Sequence, residues 1–221
     1  MQELRISIVQ TNIVWENKQE NLRLLRDKLQ MLHGTTEIVV LPEMFSTGFS
    51  MNSRKLAEPI SGETIQTLKN WAGEFQFAIT GSFICSEQGS YYNRAFFITP
   101  EGEEYYYDKR HLFRMGQEAE HFSSGDSKLI ISYREWNICL LVCYDLRFPE
   151  IFQLAMRALG KQTPETCVVF EDSRNGLLAG ANGGFPVIVV PDLFDPTLEL
   201  PGLCYAKCAR LDEAIDVIQN S

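Results

Sequence analysis

The chain has 221 residues, which is enough for one large domain or two small ones with a hydrophobic core. Its net charge of -9 argues against nucleic acid as a partner, because nucleic-acid binding needs clustered Lys and Arg. No apolar run approaches the length of a membrane span and the first residues do not resemble a signal peptide, so we expect a cytoplasmic protein without membrane contact.

The N-terminal part of the chain alternates predicted strands and helices. Apolar periodicity predicts strands at residues 4–10, 37–41 and 77–83 and helices at Lys18–Leu32 and Glu63–Phe75. The strand at 37–41 is almost continuously apolar, which is typical of strands buried on both faces of a sheet. This alternation predicts an α/β fold.

After residue 83 the alternation of predicted strands and helices is interrupted. Residues 91–99 and 104–107, separated by a turn at 100–102, predict an antiparallel hairpin. Apolar residues at helical spacing predict an amphipathic helix that begins near Pro149, whose missing N–H suits a first turn. The remaining predicted elements are two buried strands, 167–170 and 187–190, and two helices, 175–182 and 211–219.

Cys143 lies where a predicted buried strand changes abruptly into a turn. The apolar residues of that strand are Ile138, Leu140, Leu141 and Val142. A thiol in this position, beside the N-terminus of the next helix, is favoured as a thiolate by backbone N–H groups and the helix dipole. The alternative is that Cys143 fills a core, since free cysteines are among the most buried residues.

The chain contains six cysteines, and they form no close CxxC pair. They are Cys85, Cys139, Cys143, Cys167, Cys204 and Cys208. In a reducing compartment we expect free thiols rather than disulfides. The spacing of Cys204 and Cys208 would put both on one helix face, but there is no second pair and there are only three histidines, which argues against a metal site. We therefore expect no cofactor.

Glu43, Lys109 and Cys143 each follow a predicted strand. Ligands of α/β sheets bind beyond the carboxyl ends of the strands, so the three side chains could converge there. Together they would provide a base for the thiol proton, a nucleophile for a carbonyl-like carbon and a cation for the oxyanion. The alternatives are a helix-capping role for Glu43, a solvated turn for Lys109 and a core position for Cys143.

Three segments resemble the signature regions of the nitrilase superfamily of carbon-nitrogen hydrolases, and most of all its omega-amidase-like branch. They are LPEMFSTGF, YDKRHLF with RMGQEAEHF after it, and LLVCYDLRFPE. The resemblance extends over residues 1–151. It implies an α-β-β-α sandwich and hydrolysis of a small-molecule amide.

The same resemblance implies the roles of five residues. Glu43 is the general base and later the acid, Lys109 steadies the tetrahedral intermediate, and Cys143 is the nucleophile that forms a thioester. Glu118 corresponds to the auxiliary glutamate that orients the lysine, and Tyr144 is the oxyanion-binding residue.

Residues 149–221 lack the later nitrilase patterns and resemble instead the C-terminal part of the haloacid dehalogenase superfamily, in its beta-phosphoglucomutase-like branch. The segments that carry this resemblance are VVFEDSRNG and GANGGFPVIVVPD. It implies Rossmann-like β-α-β units and makes Glu171 and Asp172 weak candidates for binding Mg²⁺. The alternative is a strand-to-helix turn in which Asp172 or Ser173 caps the helix.

The two resemblances predict a hybrid of two incomplete enzyme halves. Residues 1–151 form the catalytic half, and residues 152–221 form a segment packed on the same sheet. The phosphatase pattern also needs an Asp-x-Asp, which the sequence lacks, and a lysine where Leu146 stands. Missing sheet partners leave apolar surface uncovered, which favours homo-oligomers, aggregation or a loosened core.

Three functions remain open from the sequence. The first is hydrolysis of a small amide through Cys143. The second is a folded hybrid without turnover, and the third is a Mg²⁺-dependent phosphatase, which the missing nucleophile opposes. The sequence favours the first chemistry.

Overall fold

The computed structural model describes residues 3–161, 163–191 and 194–219. The chain divides into two units, Met1–Val142 and Cys143–Ser221. The domain boundary that the sequence suggested, after residue 151, stays a prediction. No helix in the described ranges is long and apolar enough to cross a membrane.

A five-stranded sheet organises the first unit, with the strands in the order β1-β2-β3-β4-β5. The first three strands are parallel, and β3, β4 and β5 are antiparallel neighbours. The strands are β1 Ile6–Ile8, β2 Ile38–Val40, β3 Ala78–Glu87, β4 Ser90–Ile98 and β5 Glu104–Asp108. The predicted α/β alternation and the hairpin at 91–107 are confirmed, although β1 and β2 are shorter than predicted.

Two long helices of the first unit pack against one face of this sheet. They are α1 (Lys18–Leu32) and α3 (Glu63–Phe75), and their bounds agree with the prediction. Their apolar stripes are buried together with the facing sheet residues, which include Leu25, Leu29, Val39, Ile65, Leu68, Phe77 and Phe96. Local interactions determine where these helices begin and end. The Asn17 side chain caps the start of α1, and Gln76, which has a left-handed backbone conformation, ends α3.

A hairpin packs against the other face of the sheet. Its strands are β6 (Ile130–Tyr133) and β7 (Trp136–Cys139), and the turn residues Arg134 and Glu135 both have positive φ. The prediction of one strand running to Val142 is wrong, because β7 ends at Cys139 where β6 begins opposite it. Residues 140–142 lie outside the strand but still bury apolar side chains against the sheet.

Two short helices complete the first unit near its functional residues. They are α2 (Ser53–Leu56) and α4 (Glu118–His121), and neither was predicted. Helices of one turn give too few apolar repeats for a periodic signal.

The second unit contains a three-stranded parallel sheet in the order β10-β9-β8. Its strands are β8 Val169–Glu171, β9 Val187–Val189 and β10 Ala206–Lys207, and its helices are α5 Pro149–Ala158, α6 Arg174–Asn182 and α7 Ala214–Gln219. The predicted helices are confirmed, with Pro149 in the first turn of α5 and a 3-10 turn, Leu211–Glu213, before α7.

Three features of this unit differ from the prediction. The strand at 167–170 was expected to be buried, but β8 lies at the edge of the sheet and Phe170 is 41% exposed. Strand β10 was not predicted, since two residues carry no alternation. The local patterns agreed with one α/β sheet, but among the described residues β8, β9 and β10 form a sheet of their own. The packing of residues 152–221 on the first sheet stays a prediction.

Candidate active site

Glu43 lies in the loop that follows strand β2. Strand β3 fixes this loop through three hydrogen bonds: Leu41 N–H donates to Thr80, Met44 N–H to the Ser82 hydroxyl and Phe45 N–H to the Ser82 carbonyl. Met44 has φ of 47°, so the chain turns sharply directly after Glu43. The loop is therefore rigidly positioned at the end of the parallel strands, where the sequence placed it.

Lys109 follows the end of strand β5 and is buried, with 1% of its surface exposed. Its ammonium donates to Glu43 Oε1 at 2.8 Å and to Glu118 Oε2 at 2.9 Å. The ammonium also lies 5.4 Å from the centre of the Phe49 ring, within the range of a cation–π contact. The alternative of a solvated turn for Lys109 is wrong.

Glu118 is the first residue of helix α4 and is fully buried. Its Oε2 accepts a hydrogen bond from Phe113 N–H at 2.6 Å, in addition to the bond from Lys109. Two carboxylates thus surround one buried ammonium, and Glu43 is the more exposed of the two.

Asn93, on strand β4, is a member of this cluster that the sequence did not reveal. Its Nδ2 donates to Glu43 Oε1 at 2.7 Å and to Glu118 Oε1 at 2.9 Å. The available signal was compositional, because asparagine is depleted in strands and Asn93 lies in a strand that is mostly aromatic and apolar.

The electrostatics of the cluster keep Lys109 charged. Burial lowers the pKa of Lys109, but the attraction and hydrogen bonds of Glu43 and Glu118 outweigh burial, so the pKa lies above its usual value. A lysine in this state donates hydrogen bonds and stabilises negative charge, and it does not act as a base at neutral pH.

Cys143 opens the second unit as the first residue of a 3-10 turn, Cys143–Arg147. It is exposed, so the alternative of a core position is wrong. Its φ of 42° is left-handed, which is strained for a residue with a side chain and is found preferentially at functional sites. Helix α5 begins shortly after it, so the turn-then-helix arrangement expected at Cys143 is present.

Tyr144 packs within the same turn. Its hydroxyl accepts a hydrogen bond from Arg147 at 3.2 Å, and its ring makes an edge contact with Phe148 at 5.6 Å. The structure thus brings Glu43, Lys109 and Glu118 together in the first unit. The convergence of Cys143 and Tyr144 with them stays a prediction.

The acidic pair at 171–172 belongs to the start of helix α6. Ser173 caps this helix by accepting from Gly176 N–H at 3.0 Å, and its hydroxyl donates to Glu171 at 3.0 Å. Burial raises the pKa of Glu171. The capping interpretation is confirmed for Ser173, and no group of three or more His, Cys, Asp or Glu side chains in the described residues could hold a metal ion.

Known proteins provide independent evidence of the family. The carbon-nitrogen hydrolase family model matches residues 5–173, past the residue 151 at which the sequence resemblance was expected to end. Omega-amidase YafV of Yersinia enterocolitica is 38% identical over 152 residues, 67% of this chain and 57% of its own. An (R)-stereoselective amidase of Pseudomonas is 34% identical over 138 residues, 62% of this chain and 48% of its own.

Solved structures agree with the sequence comparison. XC1258 of Xanthomonas campestris, a CN-hydrolase superfamily protein, has a TM-score of 0.66 and 39% identity, and the match covers 68% of this chain and 57% of that one. Nit3 of Saccharomyces cerevisiae has a TM-score of 0.62 and 22% identity over 95% of this chain and 77% of its own, which shows the fold.

The chain is shorter than these relatives and spans 57% of the length of YafV. Even so, the family model matches more than half of the chain, and the match includes all the residues of the buried cluster as well as Cys143. The chain therefore belongs to the carbon-nitrogen hydrolase family.

Proposed function

We propose that this chain hydrolyses a small amide through Glu43, Lys109 and Cys143. The observation that carries the proposal is the fully buried ammonium of Lys109 between two carboxylates. Burying these charges costs several kcal/mol each before pairing, and an apolar cluster would stabilise the fold at least as well. Perturbed ionisable groups of this kind concentrate at catalytic sites.

The chemistry takes two stages. Glu43 accepts the proton of the Cys143 thiol as the sulfur attacks the amide carbon, and the carbonyl electron pair moves to oxygen. The C–N bond then breaks, and the nitrogen leaves as ammonia with the proton that Glu43 held. Water next gives a proton to Glu43 and attacks the thioester; the C–S bond breaks, the proton returns to sulfur and a carboxylic acid leaves.

The other residues of the site stabilise charge. Lys109 and Tyr144 bind the oxyanion that forms in both stages, and Glu118 orients the ammonium of Lys109. This role for Glu118 is supported by its complete burial and by its contacts with both Lys109 and the Phe113 backbone.

The substrate class that we propose is an omega-amide, in which the amide lies at the end of a short acid. Three curated relatives carry the name omega-amidase YafV. The net charge of -9 gives no support to a polyanionic substrate. A cytoplasmic location and a homo-oligomer stay predictions.

The finer predictions for the C-terminal part also stay open to test. They are the haloacid dehalogenase-like origin of residues 149–221 and a hybrid without turnover. The phosphatase is not proposed, because the sequence has no Asp-x-Asp nucleophile.

Ammonia release from a panel of short omega-amides and nitriles tests the proposal. We expect release by the native chain and a loss on the order of 100-fold or more in Cys143→Ser, Glu43→Gln and Lys109→Met. Lys69 and Glu104 form an ion pair near the surface and offer matched controls. Lys69→Met and Glu104→Gln should retain activity. Ammonia release that survives Cys143→Ser, or release from none of the compounds, would refute the proposal.

A further inference from the structure

We infer that Asn93 is a positioning residue of the reaction, which clamps Glu43 and Glu118 around Lys109 and leaves Oε2 of Glu43 as the proton-accepting oxygen. The inference rests on the proposed function and adds to it a residue and an atom. Asn93 contacts no reacting atom in this account. It acts through the two carboxylates.

One amide group joins the two carboxylates. Asn93 is fully buried, and its Nδ2 lies 2.7 Å from Glu43 Oε1 and 2.9 Å from Glu118 Oε1. Its backbone carbonyl also accepts a hydrogen bond from Lys109 N–H at 2.9 Å. A single residue of strand β4 therefore contacts all three charged residues, Glu43 and Glu118 through its side chain and the Lys109 main chain through its backbone.

The orientation of this amide follows from its neighbours. If the nitrogen and oxygen of Asn93 were exchanged, Oδ1 would face two carboxylate oxygens that cannot donate. With Nδ2 in place, Oδ1 is buried and has no hydrogen-bond partner among the described residues. A buried acceptor without a partner costs free energy, which an apolar side chain of similar volume would not incur. The amide is therefore retained for the carboxylates rather than for the stability of the sheet.

The clamp distinguishes the two oxygens of Glu43. Oε1 accepts from both Asn93 and Lys109, at 2.7 Å and 2.8 Å. Since both of these donors hold Oε1, Oε2 is the oxygen that takes the proton in the first chemical step.

The first experiment measures the clamp without turnover. Carboxyl labelling with a carbodiimide and an amine nucleophile, mapped by mass spectrometry, reports the accessibility of Glu43 in the native chain and in Asn93→Leu. We expect labelling of Glu43 to increase several-fold when Asn93 is removed. Thr99 is another buried polar residue and lies in the turn between β4 and β5, where its hydroxyl accepts a hydrogen bond from Glu103 N–H. Thr99→Val should leave the labelling unchanged.

The second experiment separates positioning from a structural role. In Asn93→Leu we expect kcat to fall on the order of 10-fold to 100-fold with little change in KM. Asn93→Asp should have a still lower kcat at neutral pH. Its kcat should recover relative to that of the native chain as the pH falls, because the introduced carboxyl group donates a hydrogen bond only when it is protonated. A general loss of structure gives no such recovery.

The outcomes separate the two proposals. If the native chain releases no ammonia, the proposed function fails, and the labelling result still decides whether Asn93 holds Glu43. Equal labelling of Glu43 in the native chain and Asn93→Leu overturns the inference, and so does an equal loss of kcat in Asn93→Leu and Thr99→Val.

Discussion

The ammonium of Lys109 lies 2.9 Å from Oε2 of Glu118, and both side chains are almost completely removed from solvent. A charge buried this deeply is tolerated only while its partners are present, since their contacts replace the lost hydration. The pair therefore links the stability of the first unit to the geometry of its site.

Removal of Glu118 should consequently destabilise the protein. We expect Glu118→Leu to lower the free energy of unfolding by about 3–5 kcal/mol, because Lys109, Asn93 and Phe113 N–H each lose a buried partner. Urea unfolding followed by circular dichroism measures this. Glu74 pairs with Arg26 at the surface, where both side chains are about half exposed, so Glu74→Leu should cost less than about 1 kcal/mol. Similar losses in the two variants would contradict the prediction.

Cys143 should be the most reactive of the six thiols. It is exposed and lies just before helix α5, whereas Cys85 and Cys208 are buried and the other three are partly buried. A limiting dose of iodoacetamide, with the adducts mapped by mass spectrometry, should label Cys143 first. If Glu43 and Lys109 activate the thiol, Glu43→Gln and Lys109→Met should slow its labelling. Faster labelling of Cys85 or Cys204 would count against the site.

Cys85 should contribute to the loss of stability in alkali. Burial raises the pKa of the Cys85 thiol to about 11 from its ordinary 9.0. Between these values the unfolded chain has released the thiol proton and the folded chain still holds it, so the free energy of unfolding falls as pH rises from about 9 to about 11. Cys85→Ala should show a smaller fall over this window in urea unfolding. The same slope in both proteins would contradict the assignment.

Much of the first unit could be predicted because its signals are local. The leucines of helix α1 recur at helical spacing and a capping asparagine precedes them, so its bounds agree with the prediction. Glu43 and Lys109 could be singled out because each follows a predicted strand and lies in a segment that resembles a nitrilase signature region.

The features that were missed depend on non-local contacts or on unusual backbone. The turn between β6 and β7 takes positive φ at Arg134 and Glu135 without a glycine or asparagine to signal it. Asn93 is 50 residues from Glu43 and 25 from Glu118, so only the folded sheet shows that they meet. The apolar residues 140–142 suggested a longer strand, because a run of buried apolar residues looks the same in the sequence whether or not it pairs with a neighbouring strand.

Residues 160–221 should exchange amide hydrogens faster than residues 4–50. Their buried apolar side chains form small separate clusters among the described residues, whereas helix α1 and strand β2 pack into the large core of the first unit. Local stability follows local packing, so sparse burial permits local opening. Hydrogen-exchange mass spectrometry of the native chain measures the difference. Equally slow exchange in the two segments would contradict this prediction.

The most direct test of the proposed mechanism is detection of the acyl-enzyme. The native chain is mixed with an omega-amide, quenched in acid and examined by intact-mass and peptide mass spectrometry. We expect a mass increase equal to the amide minus ammonia, located on Cys143 and strongly reduced in Glu43→Gln. Ammonia release without an adduct in the native chain, or an adduct on a different residue, would contradict it.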